Sequence, residues 1–122
     1  NPGDAVIIRT GWGKHFSVDA KTYIGHDSGV PGPDESAGNW LAERKIVVTG
    51  SDTTAFEHIA PGKGHSVLPV HRILLVDAGI HIIEHMNLED AAANNLTEFM
   101  FVLAPLKILG GTGSPVRPLA VI

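Results

Sequence analysis

The stretch Pro69-Val70-His71-Arg72-Ile73-Leu74-Leu75-Val76-Asp77-Ala78-Gly79-Ile80-His81-Ile82-Ile83-Glu84 decides the fold class, because it reads as a helix followed at once by a strand. Proline suits the first turn of a helix, where a backbone N–H would have no partner. Val70, Ile73, Leu74 and Ala78 then recur at helical spacing, and Gly79 ends the helix. Ile80 to Glu84 is a short, β-branched apolar run of the kind that forms a buried strand.

The same alternation continues on both sides. Upstream, Ile46-Val47-Val48-Thr49-Gly50 predicts a strand, and Asp4-Ala5-Val6-Ile7-Ile8-Arg9, bounded by Pro2-Gly3 and Gly11, predicts another. Between them, Asp34 or Ser36 caps a helix running to about Arg44, with Ala37, Trp40 and Leu41 on one face. Residues 10–34 read as a long loop with one helical turn, and residues 51–68 as a second polar loop holding His58 and His65. Downstream, a short helix near Leu88 to Ala93 precedes a strand from Phe99 to Ala104. A turn at Gly110-Gly111-Thr112-Gly113 and a last strand from Val116 to Ile122 follow. Strands alternating with helices define a layered α/β domain, without internal repeat or interdomain linker.

Composition narrows the function. A 43% hydrophobic and 18% charged chain of 122 residues suits a folded globular protein, long enough to bury roughly two-thirds of its unfolded surface. The net charge of -4 and the absence of any basic run longer than Arg44-Lys45 argue against nucleic acid or an anionic membrane as partner. No stretch approaches the roughly 18 to 20 apolar residues needed to cross a bilayer. Without cysteine there is no disulfide, zinc ribbon or thiol nucleophile, which fits a reducing compartment and a cytoplasmic location. The first residue is Asn1 rather than Met, so a segment upstream is expected.

Seven histidines are a high share for this length, and histidine is both the commonest metal ligand and the usual acid/base near neutral pH. Singly, each of His15, His26, His58, His65, His71, His81 and His85 reads as a surface or core residue. The group His71, His81, Glu84, His85 carries more signal, because a helix packed on a sheet can bring His71 to Glu84. Strand alternation sets His81 and Glu84 on opposite faces, so the two should not share a pocket. No HExxH, GxSxG, P-loop or GxGxxG motif occurs. Gly110 to Pro115 could cradle an anion, but hairpin turns use the same residues. Trp12 between Gly11 and Gly13 is either a pocket wall or a loop aromatic covering the core.

Read together, several segments resemble the cyclase family of metal-dependent hydrolases, which includes kynurenine formamidases and isatin hydrolases. They are Gly3 to Trp12, Trp40-Leu41-Ala42-Glu43-Arg44, Gly50-Ser51-Asp52-Thr53, Val70 to Leu75, Gly79 to Glu84 and Asn87-Leu88. Ala104-Pro105-Leu106-Lys107 and Gly113-Ser114-Pro115-Val116-Arg117 close the pattern. The resemblance implies a swivelling β/β/α fold, with residues 1–122 as the C-terminal portion of a single domain containing a mixed sheet and flanking helices. It implies hydrolysis of a small amide, formamide, imide or lactam by metal-activated water, with Zn2+ or Mn2+ as cofactor. The metal polarises the carbonyl and lowers the pKa of bound water. It further implies a homo-oligomer, dimer or tetramer, or association with an N-terminal segment of the same protein.

By that resemblance His71 and Glu84 are the metal and catalytic residues, Glu84 as ligand or proton carrier, and Trp12, Asp52 and Thr53 belong to the substrate pocket. The family's principal ligand motif, HxGTHxDxPxH, does not occur in this sequence, so the chain alone carries half of such a site. The interval from His71 to Glu84 is 13 residues, one more than in some branches of the family. The alternative is a binding or structural domain that keeps the fold without the metal.

Overall fold

A computed structural model describes residues 1–122. Three short strands, β1 (Ala5–Ile8), β2 (Val48–Ser51) and β3 (His81–Ile83), form a parallel sheet in the order β1-β2-β3. Parallel neighbours need long crossovers, and helices occupy both. The first crossover carries α1 (Ala20–Ile24) and α2 (Glu35–Glu43); the second carries α3 (Pro69–His71), which runs on as a π-helical stretch from Arg72 to Asp77. The expected α/β class is therefore the observed one.

Local chemistry explains the boundaries. Asp34 caps α2, its carboxylate accepting from the Ala37 N–H at 3.0 Å. Pro69 opens the second crossover helix, and Gly79, at φ +67°, ends it in the left-handed conformation that glycine adopts without strain. The widening to a π-helix was not legible in the spacing; Ala78 N–H reaches back five residues to Ile73 O at 3.0 Å.

Leu41, Ile46, Phe56, Val70, Leu74 and Ile80 form the buried core, with Val6, Ile8 and Ile82 of the sheet packed on it. Each fully buried side chain of this kind contributes about 1.5–3 kcal/mol. Trp40 departs from the expected face. It is 47% exposed, with the Arg44 guanidinium 3.6 Å above its ring, and Gly38 takes the inward place beside Leu41. A side chain at residue 38 would meet Val70, so the close approach of α2 leaves no room there for an aromatic.

The two long loops are more ordered than expected. Residues 10–34 hold a 3-10 turn (Trp12–His15) and α1, whose N-cap Asp19 accepts from the Thr22 N–H. They join residues 51–68 through a Val30–Ile59 bridge and a second apolar cluster of Val30, Ala55 and Ile59, on which Trp12 and Leu68 pack. α4 (Glu89–Ala93) is clasped to the end of β1 by Arg9, which makes two hydrogen bonds to Glu89 at 2.9 and 3.1 Å.

β4 (Met100–Val102) and β5 (Leu119–Val121) pair antiparallel as a separate ribbon. Both are shorter than the sequence suggests, because Pro105, Pro115 and Pro118 have no N–H to donate to a ladder. No helix is long and apolar enough to cross a membrane.

Candidate functional site

His71 sits at the end of α3, where the backbone of the helix start and the imidazole meet one buried carboxylate. Glu57, 1% exposed on its side chain, accepts from the Val70 N–H at 3.0 Å and from the His71 N–H at 2.9 Å. Its Oε1 also lies 2.7 Å from His71 Nδ1. Leu68, the residue at the N-cap position, has no side chain able to cap, so Glu57 does that work from the neighbouring loop. On the other side of the ring, Nε2 is 3.2 Å from Glu84 Oε1. The sheet supplies Glu84: β3 ends at Ile83, and the next residue projects from the strand's C-terminal end.

The chain immediately after Glu84 is held tightly. His85 N–H donates to Thr53 O and Met86 N–H to Ser51 O, each at 3.0 Å. His85 has φ +57°, a left-handed conformation that costs a residue other than glycine about 1–3 kcal/mol and persists where the surroundings enforce it. The His85 ring completes the constraint, with Nδ1 2.9 Å from the Tyr23 hydroxyl. Burial, reinforced by the negative charges of Asp52 and Glu84, pushes the Tyr23 phenol up to about 12. Tyr23 thus stays protonated and donates to His85.

The two carboxylates act on His71 from opposite sides. The hydrogen bond that the protonated ring donates to Glu84 raises its pKa above the ordinary histidine value, burial works against this, and Glu57 adds a further upward pull. Because the folded value is raised, the stabilisation from the charged ring is complete below the unfolded pKa and is lost as pH rises through the folded one. The neutral ring that a metal requires therefore forms on the alkaline side.

His71, Glu84 and His85 line an open cleft of about 1230 Å³, which Gly111, Thr112, Gly113 and Ser114 also line. The Gly110 segment is a closed turn, with Leu106 N–H donating to Ser114 Oγ at 3.1 Å. His71 and Glu84 are thus brought together as the sequence suggests. His81 is exposed and makes no hydrogen bond to His71, yet it lines the same cleft as Glu84, contrary to the expectation from strand alternation, because the cleft is open enough to wrap the strand's end.

Trp12, Asp52 and Thr53 do not line this cleft. Asp52, 1% exposed, holds the 10–13 loop by its carboxylate. It accepts from the Thr10 N–H (2.8 Å), the Thr10 hydroxyl (2.7 Å), the Gly11 N–H (2.8 Å) and the Gly13 N–H (3.2 Å). Thr53 bonds to the Ser51 hydroxyl at 2.8 Å, and Trp12 Nε1–H donates to Tyr23 O at 3.1 Å. Their place is behind the site, supporting the loops that carry Tyr23 and His85.

As metal donors, His71 and Glu84 fit only as part of a set. No group of three or more His, Asp or Glu residues is placed to hold an ion. The pair has the right chemistry, an imidazole whose second nitrogen is anchored to a carboxylate and an adjacent carboxylate oxygen. The sequence offers no direct sign of Glu57 or Tyr23 at the site, and it places His85 in the histidine group without a role. The available signal for Glu57 was a lone carboxylate between Phe56 and Ile59, both core residues.

Comparison with known proteins agrees with this fold. The profile of the family described as "Putative cyclase" matches residues 1–58. An isatin hydrolase of Roseibium aggregatum is 32% identical over 98% of this chain and 45% of its own length. The crystal structure of a novel cyclase matches 99% of this chain and 41% of its own, at 32% identity and a TM-score of 0.80. That of an isatin hydrolase bound to the product analogue thioisatinate matches all of this chain and 47% of its own, at 31% identity and a TM-score of 0.78. The chain is similar to these proteins in sequence and shares their fold over the part it matches. It spans about half the length of the relatives it matches.

Proposed function

We propose that the chain contributes to a metal-dependent hydrolase acting on a C–N bond of a small amide, formamide, imide or lactam. The observation that carries this reading is the His71–Glu84 pair, 3.2 Å apart on a cleft wall, with the second ring nitrogen fixed by buried Glu57. The similarity to isatin hydrolase supports the substrate class. A bound Zn2+ or Mn2+ polarises a carbonyl and makes water acidic enough to react near neutral pH. His71 and Glu84 would help hold such an ion, and Glu84 would otherwise take up and return a proton. The remaining ligands come from polypeptide outside these 122 residues, in the same protein or in a second copy of a dimer or tetramer. A cytoplasmic location accompanies this reading.

The test is hydrolysis of isatin and of an N-formyl aniline by the protein isolated from its source, before and after chelation. Turnover that falls at least about tenfold on chelation and returns with Zn2+ or Mn2+ is expected, a change of about 1.4 kcal/mol or more in the barrier. Full turnover after chelation, or none with any cyclic or formyl amide, contradicts the proposal. The second outcome supports the other reading, a binding domain that keeps the fold; the absence of a three-donor cluster within the chain is the observation that favours it.

A further inference from the structure

We propose that Glu57 is a positioning residue that holds His71 as the Nδ1–H tautomer, leaving the Nε2 lone pair facing Glu84 and the cleft. The inference rests on the reading of His71 as a metal ligand, and it adds the group that prepares the ring for that role.

Two carboxylates compete for the single proton of a neutral His71. Glu57 Oε1 lies 2.7 Å from Nδ1 and Glu84 Oε1 lies 3.2 Å from Nε2. The Glu57 side chain is 1% exposed, while that of Glu84 is 34% exposed and can be hydrated instead. The shorter bond, in the drier place, keeps the proton.

Glu57 is also fixed in space. Its two oxygens accept the backbone N–H groups of Val70 and His71, so the carboxylate is tied to the same helix turn that carries the imidazole. Carboxylate, helix start and ring form one unit, and a ring flip would break the bond to Nδ1 without offering another acceptor as close. Free histidine in water prefers the opposite, Nε2–H, tautomer, so the protein has to impose this one. No Lys or Arg lies within ion-pair distance of Glu57. Its only charge partner is His71.

The experiment is 15N NMR of the ring nitrogens in the histidine-labelled, metal-free chain, at a pH high enough to leave His71 neutral. The wild-type protein is expected to show a protonated, pyrrole-type Nδ1 and an unprotonated, pyridine-type Nε2. In Glu57→Gln, whose amide N–H2 can donate to Nδ1, the pattern is expected to reverse toward Nε2–H. A wild-type His71 found as Nε2–H overturns the proposal, and that spectrum needs no variant to fold. A Glu57→Gln spectrum unchanged from wild type overturns it as well, since something else then fixes the ring. Because no metal or substrate enters the measurement, failure here is distinguishable from failure of the hydrolase reading.

Discussion

Glu84→Ala is expected to remove most of the turnover of the intact protein while leaving its melting temperature almost unchanged. Glu84 is one-third exposed and its side chain touches one partner, His71 Nε2 at 3.2 Å. Removing it empties no core space, so the stability change stays within about 0.5 kcal/mol, as for other surface substitutions. Function is another matter. If Glu84 moves a proton in the reaction, its loss lowers the rate about 10²–10⁴-fold; if it is a ligand, metal occupancy falls and turnover with it. The measurement is kcat and KM for the hydrolysis, alongside a thermal melt. Turnover within about threefold of wild type, less than 1 kcal/mol in the barrier, excludes either role.

Asp52→Ala is expected to show the reverse pattern, a large loss of stability in the chain itself. The Asp52 carboxylate is buried and accepts four hydrogen bonds, three of them from backbone N–H groups of the loop at residues 10–13. Alanine leaves those donors without their anion, and buried groups that lose a charged partner cost about 1–3 kcal/mol or more. A total of about 3 kcal/mol, or roughly 10 °C in melting temperature, is expected for a chain of this size. Burial alone would raise the Asp52 carboxyl, but the N–H and hydroxyl of Thr10 and the N–H of Gly13 hold it below the usual range. With the folded pKa depressed, the stabilisation is present above the unfolded value and is lost as pH falls through the folded one. The deficit of Asp52→Asn should therefore be widest at neutral pH and close in acid, as measured by urea unfolding across pH. A deficit independent of pH contradicts this account of Asp52.

These two residues show what the sequence could and could not convey. Strands and helices of the parallel sheet were legible because each carries a local signature: β-branched runs at Val6 to Ile8 and Val48, an aspartate cap at Asp34, proline at residue 69 and glycine at residue 79. The His71–Glu84 pairing was legible because a helix start and a strand end in one crossover return to the same sheet edge. Glu57 was not, because its role depends on a loop folding against a helix 13 residues away, with no periodicity to announce it. The company of Asp52, Gly50 to Thr53, points toward a pocket, whereas its oxygens face inward to loop amides. Spacing likewise puts Trp40 on the inner face of its helix, where it does not lie. Spacing located the helix face, but only the close approach of Val70 to Gly38 determined which residue could point inward.

The most direct test of a metal site at His71 and Glu84 is addition of Mn2+ to the chain, well below one equivalent, followed by NMR. A paramagnetic ion broadens signals near it even where binding is weak, so two donors of an incomplete set suffice. The side-chain resonances of His71 and Glu84 are expected to broaden first, and Glu84→Ala to abolish the effect. Sharp signals from both, with broadening at the neighbouring His26–His65 pair instead, would contradict the central claim.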